Sequence, residues 1–307
     1  MQQLQCIPDA EGNEAAFTVL EQEVEDSMKR RFDGNTDKTV KIRLAHEFEL
    51  IRETDTAKLF LYWAKIVAAI RQKTYPYIYS VQNCSLVSYC LGITEVNPLL
   101  TGSYFERLLT RRSTHVPILF IEVPKGRGEE ASEVLKEKTL IEIEENAACP
   151  DIDPKDVMDF FKRQTYENRK ILQSAAASLG TGQYKSLETV RELADLLVYK
   201  RYAEFMDDKL SLLYQEDAVD LLVKAGLSYE EAECARRAFA MKNRGKINFY
   251  RKIFERAARK NGYSINEANA MFSAIEKEID FTVCRASYVA MAQYLYMDMF
   301  FQEKTKG

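Results

Sequence analysis

Residues 54–72 read TDTAKLFLYWAKIVAAIRQ, and their pattern decides the class of fold that the sequence predicts. Large apolar side chains recur there at spacings of three and four residues, which places them on one face of an α-helix: Leu59, Trp63, Ile66, Val67 and Ile70. Thr54, Asp55 and Thr56 each offer a side-chain oxygen that can cap the first turn. We therefore predict a long amphipathic helix that begins around these three residues.

The composition of the whole chain also favours long helices over many short strands. The 307 residues include 12 glycines and 7 prolines, about half of the usual frequency of these turn-forming residues. Hydrophobic residues make up 46% of the chain and charged residues 29%, which is typical of a folded globular protein. The net charge of −4 excludes a protein that is basic as a whole.

Cysteines and histidines indicate neither a zinc site nor a disulfide framework. The six cysteines are scattered without a C-x-x-C pair, and the only histidines are His46 and His115. No apolar run reaches the roughly 18–20 residues of a membrane-spanning helix, and the N-terminus lacks the features of a signal peptide. We expect reduced thiols and a cytoplasmic protein without a membrane partner.

The clearest strand is Val116–Val123, an apolar run that Pro124 ends. It leads into an acidic segment, residues 122–156, in which eleven Asp or Glu residues stand against five Lys or Arg. We predict a solvated helix followed by a linker for this segment. A short strand or extended loop is predicted for Tyr75–Val81, and a short helix for Ser85–Leu91.

The second half of the chain is predicted to be helical throughout. Ser228 and Glu231 form a capping-box pattern that opens a helix running to about Met241. Asp153 and Ser186 are predicted N-caps of two earlier helices. Three further helices are predicted at about Ile247–Lys260, Ile265–Ile279 and Ala286–Phe301.

The strongest local charge lies in Arg236–Lys260, which contains ten basic residues and one acidic residue, Glu255. Three phenylalanines and one tyrosine are interleaved with the charges: Phe239, Phe249, Tyr250 and Phe254. Positive charge at this density suits a phosphate backbone, because neutralising phosphates releases counterions. The alternative is a pair of amphipathic helices with a solvated basic face and the aromatic residues in the core.

Short motifs across the chain resemble the α subunit of bacterial DNA polymerase III, the replicative polymerase of the C family. Tyr214–Glu216, Ala225–Ser228 and Arg236–Ala238 are similar to the Y-Q-E, A-G-F-S and R-R-A segments of that family's fingers, in the same order. Lys242 falls on the second lysine of the family's R-R-A-M-G-K-K motif. Four further motifs resemble the family in collinear order: Leu91–Leu99, Phe105–Leu109, Asp153–Phe161 and Asp280–Ala286.

The chain departs from this family where the resemblance implies catalysis. The family transfers nucleotides with two Mg²⁺ ions held by aspartates of a P-D-x-D-x-D strand. Pro117–Glu122 aligns with that strand, so Ile118 and Phe120 occupy the positions of two metal-binding aspartates, and Glu122 is the one carboxylate left on that face. The family's glycine-rich phosphate loop aligns with Pro76–Ser85, which contains no glycine.

These observations predict a mainly α (α+β) fold: a helical fingers-like domain and a reduced polymerase-palm remnant with a few short strands. We expect residues 1–150 to form the palm-like domain with an N-terminal helical segment, and residues 151–307 to form the fingers-like domain. The expected function is that of a non-catalytic homologue without catalytic or metal-binding residues and without a cofactor.

The expected partner is DNA or a replication protein, bound through the basic fingers region. The predicted DNA-binding residues are Arg236, Arg237, Lys242, Arg244, Lys246, Tyr250, Arg251 and Lys252, with Tyr250 as a stacking platform. Two alternatives remain open. The first is an active, Mg²⁺-dependent nucleotidyltransferase that uses other carboxylates, such as Glu106 and Glu122. The second is a protein–protein interaction module that uses the acidic segment and the terminal apolar helix.

Overall fold

The fold is known from a computed structural model, which describes residues 13–32, 37–74, 76–78, 80–113, 117–123, 126–135, 141–145, 212, 214–287 and 289–290. These residues belong to two compact units, the first within Met1–Leu197 and Ala286–Gly307 and the second within Val198–Arg285. The predicted helices that start at Asp153 and Ser186, and most of the predicted terminal helix, lie outside the described residues. The boundary between residues 150 and 151 also lies outside them, so the division into domains 1–150 and 151–307 remains a prediction.

The first unit contains six helices among its described residues: α1 (Asn13–Arg31), α2 (Lys38–Glu53), α3 (Ala57–Arg71), α4 (Leu86–Cys90), α5 (Pro98–Thr101) and α6 (Gly128–Ser132). Short 3₁₀ helices occupy Val81–Cys84 and Phe105–Arg107. The mainly helical fold class is therefore confirmed. Within the described part of the chain, no helix is both long enough and apolar enough to cross a membrane.

Helix α3 is the amphipathic helix predicted from residues 54–72. It begins after Thr56, and all five side chains of the predicted apolar face are buried in the core of the first unit. Helix α2 was not predicted from the sequence. The Asp37 side chain caps α2 by accepting a hydrogen bond from the backbone N–H of Val40 at 2.9 Å.

A three-stranded sheet packs in the same unit, in the order β1 (Tyr77–Ile78), β2 (Leu119–Val123) and β3 (Ile141–Glu145). Strand β1 is antiparallel to β2, and β3 is parallel to β2. The prediction of a helix and a linker for the acidic segment is therefore wrong in part, because α6 is followed by a strand. The alternation of isoleucine and glutamate in Ile141–Glu144 has the period of two that strands require, and β2 supplies the partner.

The second unit contains four longer helices in its described part: α7 (Gln215–Lys224), α8 (Tyr229–Ala240), α9 (Arg244–Lys260) and α10 (Ile265–Glu278). Phe272 of α10 lies at the centre of their core, with ring centroids 4.9 Å from Phe239 and 5.4 Å from Phe254. Tyr214, just before α7, forms a bridge with Val283, which follows α10, and the backbone N–H of Gln215 donates to the Val283 carbonyl at 2.9 Å.

The turn between α7 and α8 requires glycine. Gly226 has a φ of +117°, and a Cβ atom at this position would lie 2.7 Å from the Asn261 side-chain nitrogen and 3.1 Å from the Ala257 carbonyl oxygen. Because the backbone at the end of α9 cannot move away easily, any larger residue would separate the turn from α9.

Two helices of the second unit begin with reciprocal caps. The Ser228 hydroxyl accepts from the backbone N–H of Glu231 at 3.2 Å, and the Glu231 carboxylate accepts from the backbone N–H of Ser228 at 3.1 Å. This confirms the capping box predicted for α8. Ser264 and Glu267 form the same arrangement at the start of α10.

We predict that Ser228→Ala lowers the free energy of unfolding by about 1 kcal/mol, because one backbone donor of α8 loses its acceptor. Urea unfolding of the full chain measures the change. Ser228→Asp is the matched control, since its carboxylate also caps, and it should stay within about 0.5 kcal/mol of the wild type. Equal destabilisation by both variants would contradict the capping role.

Candidate functional site

Strand β2 places three side chains on one partly exposed face. Leu119, Ile121 and Val123 are buried, whereas Phe120 and Glu122 are half-buried and Ile118, just before the strand, is 37% exposed. Ile118, Phe120 and Glu122 alternate with the buried residues and therefore share a face. Hydrocarbon side chains offer no ligand to Mg²⁺, so the residues of β2 do not fit a pair of metal ions.

The neighbouring strand β3 pairs acidic sequence positions with residues of β2. Glu142 pairs with Phe120, and Glu144 pairs with Glu122. No carboxylate on a strand beside β2 was predicted from the sequence. The signal that could have found these residues is the Ile-Glu alternation in the acidic segment.

In the glycine-free segment before α4, residues 76–85, side chains form hydrogen bonds to nearby backbone carbonyl oxygens. The Asn83 amide donates to the carbonyl oxygens of Ile78 at 2.7 Å and Ser80 at 3.0 Å, so it holds the 3₁₀ turn against β1. The Gln82 amide donates to the Ile118 carbonyl at 3.0 Å and so joins the segment to the start of β2. Gln82 and Asn83 are buried, and this turn is a packed part of the core.

The N-terminus of α4 is occupied by a carboxylate of the chain itself. Glu47 of α2 is fully buried and accepts hydrogen bonds from the Ser85 hydroxyl at 2.8 Å and from the backbone N–H groups of Leu86 at 2.8 Å and Val87 at 3.0 Å. The first N–H groups of a helix have no partner within the helix and favour negative charge. Two donors at which a phosphate could bind are therefore already bonded to Glu47.

Arg43, one turn earlier on α2, supports this carboxylate. Its Nε donates to Glu47 at 2.6 Å, and its two terminal nitrogens donate to the carbonyl oxygens of Ser103 at 2.8 Å and Cys84 at 2.7 Å. Arg43 and Glu47 thus connect α2 with Cys84, just before α4, and with Ser103, just after α5. Every group in this network is an internal partner of another.

Glu106, a candidate carboxylate of the nucleotidyltransferase alternative, is also held internally. It is buried, and its Oε1 lies 2.8 Å from Nε2 of His46. This hydrogen bond is the main reason why the pKa of His46 is raised above its usual range, although partial burial opposes the shift. Glu106 is therefore the partner of a histidine on α2.

Two arginines of the basic stretch are neutralised within α8. Arg236 is 5% exposed and donates two hydrogen bonds of 2.8 Å to the carboxylate of Glu233, which is fully buried. Arg237 donates to the same carboxylate at 2.8 Å. Arg236 was predicted to bind DNA, but its guanidinium is buried in an ion pair and is not presented to a ligand.

Three more of the predicted residues are paired with acids near the end of the second unit. Lys242 forms an ion pair with Asp280. Arg244 and Arg251 share the carboxylate of Glu276, and Arg251 binds it at 3.0 Å with its guanidinium over the Phe272 ring. These acids lie outside Arg236–Lys260, so the local charge counted from that stretch overstates the free positive charge.

The remaining cations form one exposed surface, which we call the basic face of α9. It consists of Lys246, Lys252, Arg256, Arg259 and Lys260, all exposed and without an ion pair to any described residue. Tyr250, the predicted stacking residue, is 7% exposed and lies on the opposite, buried face with Ile247 and Phe254. The structure therefore brings together only part of the predicted DNA-binding set and adds three cations to it.

Comparison with known proteins matches residues 18–194 to the family described as the bacterial DNA polymerase III alpha NTPase domain. The chain belongs to this family. It is 35% identical over 123 residues to an error-prone DNA polymerase of Burkholderia mallei, covering 39% of this chain and 12% of that protein. It is 31% identical over 126 residues to the DNA polymerase III subunit alpha of Mycobacterium tuberculosis, covering 40% of this chain and 10% of that protein.

The family match confirms the resemblance found from the sequence motifs, but it does not extend to the whole chain. The chain spans about a tenth of the length of the curated relatives it matches. The match includes the sheet and helices α2–α6 but ends before α7, so the basic face of α9 lies outside it. A DNA-binding role for the second unit therefore remains a proposal.

We predict that Glu47→Gln lowers the free energy of unfolding by about 3 kcal/mol, because it removes the charge that Arg43 and the α4 N-terminus require in a buried position. Chemical denaturation of the full chain measures the loss. The matched control is Glu49→Gln on the exposed side of α2, where Glu49 pairs with Arg111 and is 56% exposed. The control should change stability by at most about 0.5 kcal/mol. Equal effects of the two variants would contradict the network.

Proposed function

We propose that this chain is a non-catalytic member of the polymerase III alpha family that binds DNA through the basic face of α9, alone or together with a replication protein. The observation that carries the proposal is the division of the basic residues of the second unit into those with acidic partners and those without. Arg236, Arg237, Lys242, Arg244 and Arg251 have acidic partners, whereas the five cations of the basic face have none among the described residues.

The shape of the basic face suits a phosphate backbone. Its cations extend from Lys246 to Lys260, which corresponds to about 21 Å along the axis of α9. Because the side chains are exposed, they keep their full hydration until a polyanion displaces their counterions. The face sits on a helix whose other side is fixed by Ile247, Tyr250 and Phe254 in the core, so its geometry is rigid.

Three features of the first unit support the loss of catalysis. Ile118 and Phe120 stand where the family's metal-binding aspartates are expected, and hydrocarbon side chains cannot hold Mg²⁺. The segment that aligns with the phosphate loop is packed into the core and has no glycine. Glu47 occupies the α4 N-terminus with a charge of the same sign as a phosphate.

A second candidate function is phosphoryl transfer by a rearranged set of carboxylates. One observation favours this alternative: Glu142 and Glu144 of β3 are the register partners of Phe120 and Glu122 of β2. Glu106 does not support this alternative, because its carboxylate is hydrogen-bonded to His46. The protein-interaction alternative depends on the terminal apolar helix, which lies mostly outside the described residues.

We predict that the full chain binds labelled DNA with an affinity that falls steeply with salt. If the basic face contacts about five phosphates of duplex DNA, a plot of log affinity against log salt should have a slope of roughly −4 to −5. Fluorescence anisotropy between about 50 and 200 mM salt measures it. Replacing Lys252, Arg256 and Arg259 together with Gln should reduce the slope by up to about three units and weaken binding to all sequences alike.

The control carries the same change of charge in the first unit: Lys38→Gln, Lys41→Gln and Lys65→Gln, three exposed lysines without a described ion pair. This variant should keep the wild-type slope. Absence of DNA binding at low salt, or an equal loss in both triple variants, would overturn the proposal.

We predict that the protein incorporates no nucleotide in a primer-extension assay with Mg²⁺ or Mn²⁺. The double variant Ile118→Asp, Phe120→Asp should also be inactive, because the phosphate-loop glycines are missing and Glu47 fills the α4 N-terminus. Template-dependent incorporation that Glu122→Gln abolishes would establish the alternative instead.

A further inference from the structure

One large aromatic side chain stands in the middle of the basic face. Phe249 is 56% exposed, whereas its neighbour Tyr250 is buried. The two rings are nearly perpendicular with centroids 5.2 Å apart, so Tyr250 packs against Phe249. The rest of the Phe249 ring faces solvent.

The helical positions around Phe249 are basic on both sides. Lys246 and Lys252 lie three residues before and after it, at about 60° to either side around the axis of α9. Arg256 and Lys260 follow at about 20° from the direction of Phe249, two and three turns further along. An exposed apolar ring is thus flanked by cations that the described acidic residues do not neutralise.

We propose that Phe249 is a stacking platform for an unpaired base, and that the basic face of α9 consequently prefers single-stranded DNA to duplex DNA. This inference rests on the proposed function and names its substrate class. An exposed phenylalanine offers a flat π surface, and cations on either side can hold the phosphates that precede and follow the stacked base. In a duplex the bases already stack on one another, so Phe249 adds no stacking contribution to the binding of duplex DNA.

Charge complementarity favours single-stranded DNA over an apolar protein surface as the ligand of Phe249. A partner that covered Phe249 with apolar side chains would also have to desolvate Lys246, Lys252 and Arg256, and burying unpaired charges is costly. A single strand presents a flat base and negative phosphates within one nucleotide. It therefore satisfies the ring and the cations together.

The test compares two single-stranded probes of about 15 units, oligo(dT) and a strand of abasic tetrahydrofuran nucleotides that keeps the phosphates but has no bases. Phe249→Ala should weaken oligo(dT) binding by about five- to 150-fold and leave binding of the abasic strand unchanged. Phe249→Trp should retain the affinity for oligo(dT). Ile265→Ala is the matched control, because Ile265 is 52% exposed in the same unit but has no cation three or four residues away.

A spectroscopic readout accompanies the binding data. Trp63 is the only tryptophan of the chain and is fully buried, so a change in fluorescence of Phe249→Trp reports on position 249. Stacking predicts quenching by oligo(dT) and none by the abasic strand. Thermal unfolding of Phe249→Ala should match the wild type, since the side chain is exposed.

The outcomes separate this inference from the proposed function. If neither probe nor a duplex of the same length binds at low salt, the proposed function fails, whereas a duplex bound as tightly as oligo(dT) would overturn the preference for single strands. If both probes bind with equal affinity and Phe249→Ala changes neither, the basic face binds DNA but the stacking role is overturned. Competition by poly-glutamate as strong as that by oligo(dT) would also overturn it, because a polyanion without bases would then suffice.

Discussion

Glu47 is an ionisable side chain with no access to solvent, and the residues around it are arranged to supply the hydrogen bonds that water would otherwise give. Donors come from Arg43, Ser85, Leu86 and Val87, which joins α2 to the first turn of α4. A buried carboxylate that loses one such partner is costly, so the segment before α4 has little freedom to move. Gln82 transmits this constraint to the Ile118 carbonyl and thus to the start of β2, on which the sheet is built. The same arrangement that stabilises the first unit closes the position where the family's phosphate chemistry is expected.

The function proposed for the second unit depends instead on positive charges that have no ion pair among the described residues. Glu233, Glu276 and Asp280 pair with the basic residues nearest to the core, and Glu276 joins α10 to α9 through Arg244 and Arg251. The cations that remain on the basic face of α9 contribute little to stability, because exposed and unpaired charges rarely do. They are available to a ligand for that reason. A unit of this kind can bind a polyanion without any residue of a catalytic centre.

Local patterns in the sequence predicted much of the fold, whereas the sites required tertiary information. Helix α3 and the Ser228 cap were predictable because periodicity and capping depend on residues within one or two turns. Strand β3 was missed because its stability comes from β2, about twenty residues earlier, and a run of glutamates suggested a solvated segment. Ile247, Phe254 and Ala258 follow the three- and four-residue spacing of one buried helix face. Tyr250 lies on that face and Phe249 does not, so the sequence could have predicted Tyr250 in the core and Phe249 in solvent. Glu233, three and four residues before Arg236 and Arg237, was likewise a readable sign of their pairing. Lys242 and Asp280 are 38 residues apart in the chain, and Arg244 and Glu276 are 32 apart, so no rule of local spacing predicts these pairs.

Lysine footprinting of the full chain tests the central claim most directly, because it locates the contact without any substitution. The protein is acetylated in the presence and absence of saturating single-stranded DNA at low salt, and each lysine is quantified by mass spectrometry. The account predicts protection of Lys246, Lys252 and Lys260 on the basic face of α9, with Lys38, Lys41 and Lys65 of the first unit as exposed internal references that stay reactive. Protection confined to the first unit, or none at the three lysines of α9 while DNA is bound, would contradict the account.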